Sequence, residues 1–231
     1  MIKIRPSLWF VILSFLQQVV VCYGYDEDWR LRTSGGIAWE MNKDWTLSYR
    51  EELRSYGMAE KLFQDRSDIG VLYKSFAEWL DVGVNFIIIH SENSSDKHTE
   101  ENRPSLSAIL RGKLLEHDIS DRLRIEYRDR SNASDIWRFR NKVTLDSAYE
   151  GGDTRGLRLL GMGKIKPYVA DEIFITLDGT GFSQNMVYLG FIMRLTDHTK
   201  TDVYYGFQTV KTTAEGWDNI NVIGIEWTCC F

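Results

Sequence analysis

The sequence predicts an all-β chain, folded as an antiparallel up-and-down transmembrane β-barrel of about 10–12 strands. Three observations carry that prediction. Apolar residues recur at every second position in run after run, while helical periodicity is nowhere sustained. The runs have the roughly nine to eleven residues that a tilted strand needs to cross a bilayer. Trp29, Trp39, Trp45, Trp79, Trp137 and Trp217 fall at or near the ends of runs, where an aromatic girdle meets lipid headgroups. A two-sheet sandwich also alternates, but it gives no reason for aromatics at so many run ends.

The first segment reads as an export signal. Lys3 and Arg5 precede a largely apolar stretch from Leu8 to Leu16, and Gln17 and Gln18 interrupt it before Val19, Val20 and Val21. Cys22 and Gly24 supply small residues two apart, so cleavage is expected after Gly24, leaving residues 1–24 as signal peptide and 25–231 as barrel. Val21 before Cys22 argues against lipidation. The apolar stretch falls short of the ~20 residues that a spanning helix needs.

The runs then follow in order. Trp29, Leu31, Ile37 and Trp39 share one parity, and Asn42, Lys43 and Asp44 make a turn into Trp45, Leu47, Tyr49 and Leu53. Ile69, Val71 and Tyr73 precede Leu80, Val82, Val84, Phe86 and Ile88. Polar residues from Ser91 to Arg103 read as a long exposed loop. Leu106, Ala108 and Leu110 lead through His117 and Asp118 to Leu123, Ile125 and Tyr127. After the polar turn from Ser131 to Asp135 come Trp137, Phe139, Val143 and Leu145, and a glycine-rich loop (Gly151, Gly152, Gly156) precedes Ile165 to Leu177. Val187, Leu189, Phe191 and Met193 turn at Thr196, Asp197 and His198 into Val203, Tyr205 and Phe207, and a last run closes the chain. These amount to eleven segments. Bacterial single-chain barrels use an even number, so ten or twelve strands are expected.

If the apolar parity faces lipid, its neighbours face the lumen, and they are charged. Arg122, Arg124, Glu126, Arg128 and Arg130 alternate with Leu123, Ile125 and Tyr127; Arg138, Arg140 and Lys142 follow on the next run. Earlier runs add Arg30, Arg32, Glu40, Arg50, Glu52, Arg54, Lys74, Asp81, Arg111 and Lys113, and later ones Glu172, Asp202 and Glu226. Fourteen cations thus face seven acids on this parity. The candidate lumen-lining set is Arg50, Arg54, Arg122, Arg124, Glu126, Arg128, Arg138, Arg140, Lys142 and Glu172. Two roles follow from it: a structural lattice of arginine–carboxylate pairs filling the interior, or a narrow passage that favours anions. Glu51 and Asp171 carry the lipid-facing parity. Either a bulge shifts the register there or both lie outside the apolar band.

Catalysis is not expected. A lipid hydrolase would present a serine–histidine pair outward, but His90, His98, His117 and His198 all fall at expected turns or loops, in no nucleophile motif. Glu51 with Glu52 and Asp171 with Glu172 are adjacent on strands and point to opposite faces, so neither pair shares a proton or a metal ion. The sequence has no zinc spacing and no disulfide framework, and it implies no cofactor. The net charge is −5, and −7 once Lys3 and Arg5 leave with the signal, which argues against nucleic acid as a partner. Mean hydropathy of −0.30 does not argue against a barrel, because only alternate residues of a barrel face lipid.

The final run, with Ile223, Ile225, Trp227 and Cys229 in one parity before Phe231, resembles the closing strand of bacterial outer-membrane barrels. In those proteins this ending is the signal read by the barrel-assembly machinery. Ile223, Ile225, Trp227 and Phe231 are accordingly the candidate assembly signal, with that machinery and outer-membrane lipid as partners of a monomer. Cys229 and Cys230 depart from the usual polar-aromatic ending. The stretch Pro167-Tyr168-Val169-Ala170-Asp171-Glu172-Ile173-Phe174 is similar to a Pro-Tyr-x-x-Asp-Glu-Ile-Phe strand in a domain-of-unknown-function family of Gram-negative envelope proteins, themselves expected outer-membrane barrels. Trp137-Arg138-Phe139-Arg140-Asn141 and Asn219 to Ile225 resemble that family too. The resemblance spans residues 26–231 and implies fold and location; it brings no catalytic residue.

Overall fold

Eleven strands close into a single barrel in the computed structural model, which describes residues 28–56, 61–92, 98–131, 133–147, 165–212 and 216–231. They are β1 (Asp28–Glu40), β2 (Trp45–Tyr56), β3 (Lys61–Ala77), β4 (Leu80–Glu92), β5 (His98–Leu114), β6 (His117–Arg130), β7 (Ile136–Asp146), β8 (Ile165–Thr176), β9 (Gly181–Arg194), β10 (Thr199–Lys211) and β11 (Trp217–Cys230). No helix occurs among the described residues. The expected export signal at residues 1–24 and the expected glycine-rich loop at 151–156 lie outside the described residues.

Each strand pairs antiparallel with the next, and β1 pairs with β11 in parallel, from Asp28↔Ile220 to Ala38↔Cys230. The expectation of an even count is therefore corrected: the eleven runs are eleven strands. An odd up-and-down set leaves its first and last strands pointing the same way, and parallel pairing is the only way to close it. β1 starts at one rim, called upper below, and Phe231 ends at the lower rim. There the Phe231 N–H donates to the Ala38 carbonyl (2.9 Å), and the Glu40 N–H donates to that of Phe231 (2.7 Å).

The alternation points outward as expected. Ile69 is 50% exposed and Leu189 58%, while their inward neighbours Asp68 and Tyr188 are buried. The tight approach of aromatic pairs marks both rims: Tyr127–Trp137 (5.1 Å) and Phe182–Trp217 (5.5 Å) above, Trp45–Tyr73 (4.7 Å) below. Trp227 is outward and exposed near the lower rim, and Ile223 and Ile225 share its face.

Two expectations fail for local reasons. The segment from Ser91 to Arg103 is not a long loop: β4 runs through Glu92, β5 begins at His98, and Glu92↔His98 to Ile87↔Arg103 pair across them. Its side chains are polar because both rows there lie near the rim. Glu51 and Asp171 are neither bulged nor outside the apolar band. The register shifts fall further along, at Arg54/Ser55 and Phe174/Ile175. Both carboxylates stand on the outer wall, beside Tyr49 and Leu53 for Glu51 and between Val143 and Val187 for Asp171. Local donors cover them: Tyr49 Oη and Ser67 Oγ (each 2.7 Å) on Glu51, and Asn185 Nδ2 (2.6 Å) on Asp171. A polar group among apolar side chains is stabilised by bonding the groups beside it.

Candidate functional site: the charged interior

The period-two backbone sends every second residue inward, so the charges of neighbouring strands stack into rows. On β6 and β7 the register sets Glu126 opposite Arg138 and Arg124 opposite Arg140; on β7 and β8 it sets Lys142 opposite Glu172. Glu126 is completely buried. It accepts from Arg138 Nη2 (2.5 Å) and Nε (3.0 Å) and from Arg140 Nη1 (2.7 Å). Arg140 Nη2 also donates to Glu172 Oε1 (2.7 Å), which Arg122 reaches at 3.2 Å. Tyr188 Oη donates to the other Glu172 oxygen at 2.7 Å. The ring of Phe174 lies under both Arg138 and Arg140, and Lys142 Nζ sits 4.0 Å from the Tyr188 ring centre.

A second group gathers on β1 to β3 and β11. Arg50 bridges Asp68 (3.3 Å) and Glu226 (3.2 Å), Arg54 pairs with Glu52 (2.5 Å), and Asn85 Nδ2 donates to Asp68 (2.9 Å). Arg32 donates to Gln208 (2.5 Å). Near the upper rim Glu101 accepts from Arg103 (2.7 Å) and Arg128 (2.9 Å). Such charges are covered only where opposite charges and donors answer them, since an isolated buried ion is costly.

Glycines provide the remaining space. Tyr204 lies flat over Gly224, Tyr168 over Gly190 and the Met186 methyl over Gly206; a Cβ at any of the three would sit inside its neighbour. Tyr168 Oη reaches both Asp202 oxygens at 3.0 Å. On β8 to β11 the interior is thus packed with tyrosine, methionine, Ile220 and Val222. Two materials line the described interior: an ionic lattice on one side and an aromatic-aliphatic cluster on the other.

The ten candidate lumen residues, Arg50, Arg54, Arg122, Arg124, Glu126, Arg128, Arg138, Arg140, Lys142 and Glu172, all lie on the inward rows; eight of them join these hydrogen-bonded pairs, while Arg124 stands 3.8 Å from Glu126 and Lys142 lies over the Tyr188 ring. Sequence reasoning missed Arg66 and Asp68 on β3 and Glu101 and Arg103 on β5. The signal for Arg66 and Asp68 was present, since they continue the inward row of Gly70 and Leu72. Asp65 and Ser67 on the outward row hid it by breaking the apolar alternation.

His90 is not in a loop but within β4, outward and opposite Asp65, while Ser91 is inward and accepts from Gln64 (2.8 Å). His98 and His117 begin β5 and β6; Ser120, three residues beyond His117, faces the other way. His198 is in a turn, its Nδ1 3.1 Å from the Cys230 carbonyl. Among the described residues no group of three or more His, Cys, Asp or Glu is placed to hold a metal ion.

Residues 29–220 match the family described as protein of unknown function (DUF2490), and the chain belongs to that family. No curated protein matches it.

Proposed function

We propose that this family member is a bacterial outer-membrane barrel, delivered through a cleaved signal peptide, whose role is structural or passive. One observation carries the reading: the barrel is inside-out, with its large apolar side chains on the outer wall and its arginines and carboxylates within. In water that wall is a large exposed apolar surface; in a bilayer it is solvated. Outer-membrane lipid is then its surrounding partner, and the ending Ile223, Ile225, Trp227 and Phe231 is what the assembly machinery reads. No catalytic role is proposed. Membrane fractionation tests the location: the protein partitions with the outer membrane and is released by detergent, not by carbonate. Recovery in the soluble fraction refutes it.

A narrow anion-preferring pore is the second reading, favoured by the cation surplus within the wall. Planar-bilayer recording separates the two. Anion-selective steps that vanish in Arg124→Glu plus Arg140→Glu establish the pore. Silence at every voltage leaves the filled lattice.

A further inference from the structure

One sector of the outer wall, on β3 to β6, carries two cavities in line. Its outward rows descend in step from the upper rim. Asp65, His90 and Glu100 are register partners; Ser67, Ile88 and Asn102 stand two residues lower, and Ile69, Phe86 and Pro104 two lower again. At that third row opens an apolar groove of about 760 Å³, which continues over Val84 and Leu106. The Tyr127 and Trp137 rings, 5.1 Å apart, line its β6–β7 side. Gly70, Asn85 and Ser105 of the inward rows also line it, so the groove reaches the sheet itself. It does so where the ladder is interrupted. β5 and β6 pair at Asn102↔Asp129 and again at Ser105↔Glu126, and Pro104 between them has no N–H to give.

The second cavity, about 590 Å³, stands at the upper rim, with Asp65, His90 and Glu100 as its lower edge and Glu92 and His98 above them. From that edge to the top of the groove is four residues, about 13 Å along a strand. Three carboxylates line the rim cavity, Asp65, Glu92 and Glu100, with no lysine or arginine in the lining among the described residues. Lys61 reaches Glu92 at 3.5 Å, and Asp65 Oδ1 has no hydrogen-bond partner. Among the described residues these acids do not converge as a metal site, so the cation that suits them is an organic ammonium. Like charges repel an anionic headgroup there. His90 and Ser131 supply ring N–H and hydroxyl donors for a phosphate beside the ammonium.

We propose that this sector seats one phospholipid whose headgroup carries a primary amine. Its ammonium lies among Asp65, Glu92 and Glu100, and one acyl chain lies in the groove toward Leu106. Ammonium and carboxylate meet in charge-assisted hydrogen bonds, and the chain covers apolar side chains. The seat rests on the reading of the barrel as an outer-membrane protein and deepens it by giving one stretch of the wall a preferred lipid.

The test uses the full chain folded in detergent and titrated with phosphatidylethanolamine, phosphatidylglycerol or phosphatidylcholine of identical chains. Native mass spectrometry counts the bound lipid. Chain-brominated phosphatidylethanolamine adds a second readout, the quenching of Trp137, taken as the difference between wild type and Trp137→Phe. A charge-assisted hydrogen bond carries roughly a tenfold preference, so the ethanolamine lipid binds about tenfold tighter than the other two. In Glu92→Gln plus Glu100→Gln that preference falls to about twofold or less. Leu106→Trp fills the groove from outside and removes the quenching. Equal retention of the three lipids overturns the seat, as does a preference for phosphatidylglycerol, a preference unchanged in the double glutamine variant, or full quenching with Leu106→Trp. A dimer that retains no lipid assigns the face to a second copy and overturns it too. Should a variant not fold, the wild-type comparison of three lipids still decides. Membrane fractionation is a separate measurement: recovery in the soluble fraction strikes the location, whereas outer-membrane recovery with equal lipid retention strikes the seat alone.

Discussion

Glu126→Gln is the sharpest probe of the lattice, because the change keeps shape and removes one charge. Glu126 has no exposure and takes three hydrogen bonds from Arg138 and Arg140. With glutamine there, Arg138 keeps no carboxylate within 4 Å, and the new amide turns donors toward guanidinium donors. Removing one partner of a buried ion pair costs about 3–5 kcal/mol. Set against a total stability of about 5–15 kcal/mol, that is a large share. The contrasting change is Glu40→Gln, whose carboxylate is 61% exposed and bonded to Lys74 at 2.7 Å. An exposed pair of this kind contributes little, because water screens it. Urea unfolding in detergent micelles, followed by tryptophan fluorescence, measures both. If Glu126→Gln costs no more than Glu40→Gln, the interior is wet enough to screen its charges and the filled-lattice argument fails.

Further outcomes follow from other parts of the wall. Leu189→Arg places a cation in the middle of the outer apolar band and costs about 2–4 kcal/mol in a bilayer; a water-facing wall absorbs it with little change in urea midpoint. Gly224→Val pushes the Tyr204 ring off its seat, destabilising by about 1–3 kcal/mol, and the loss is partly recovered by pairing it with Tyr204→Ala. In the turn between β8 and β9, the backbone N–H of Thr180, aided by its hydroxyl, holds the Asp178 carboxyl below the usual carboxylate range. Its stabilising contribution is therefore present above a pH of about 3.9 and fades as pH falls through the depressed value. Asp178→Asn removes that acid-limb dependence from the unfolding curve.

Much of this structure was legible in the sequence because a strand's side chains alternate without exception. The row Arg122, Arg124, Glu126 could only oppose Leu123, Ile125, Tyr127, whatever the partner strand. Pairing between distant rows was not legible. Arg50 meets Glu226, 176 positions away, and Arg140 meets Glu172 across a stretch whose length says nothing about register. The parity of the strand count was equally hidden, since alternation reports each strand's faces and not how the first meets the last. Where a polar residue took an outward place, as Asp65 and Ser67 did on β3, the pattern lost contrast and the inward Arg66 and Asp68 went with it.

The two candidate roles differ by an energy that the packing bounds. A solute passing through must separate Arg140 from Glu172 or Glu126, and must displace Tyr188, which donates to Glu172, or Tyr204, which lies over Gly224. Opening a single buried pair at about 3–5 kcal/mol leaves the open form at roughly one part in a hundred to a few in ten thousand. Such a barrel conducts, if at all, in rare and brief bursts. The arithmetic also gives the variant that tests it. Glu172→Gln frees Arg140 and Arg122 from one anchor and releases Tyr188, so the burst frequency rises by about two to three orders of magnitude, the factor that one buried pair carries. A steady open conductance in the wild-type barrel would show that the pairs are not what closes it.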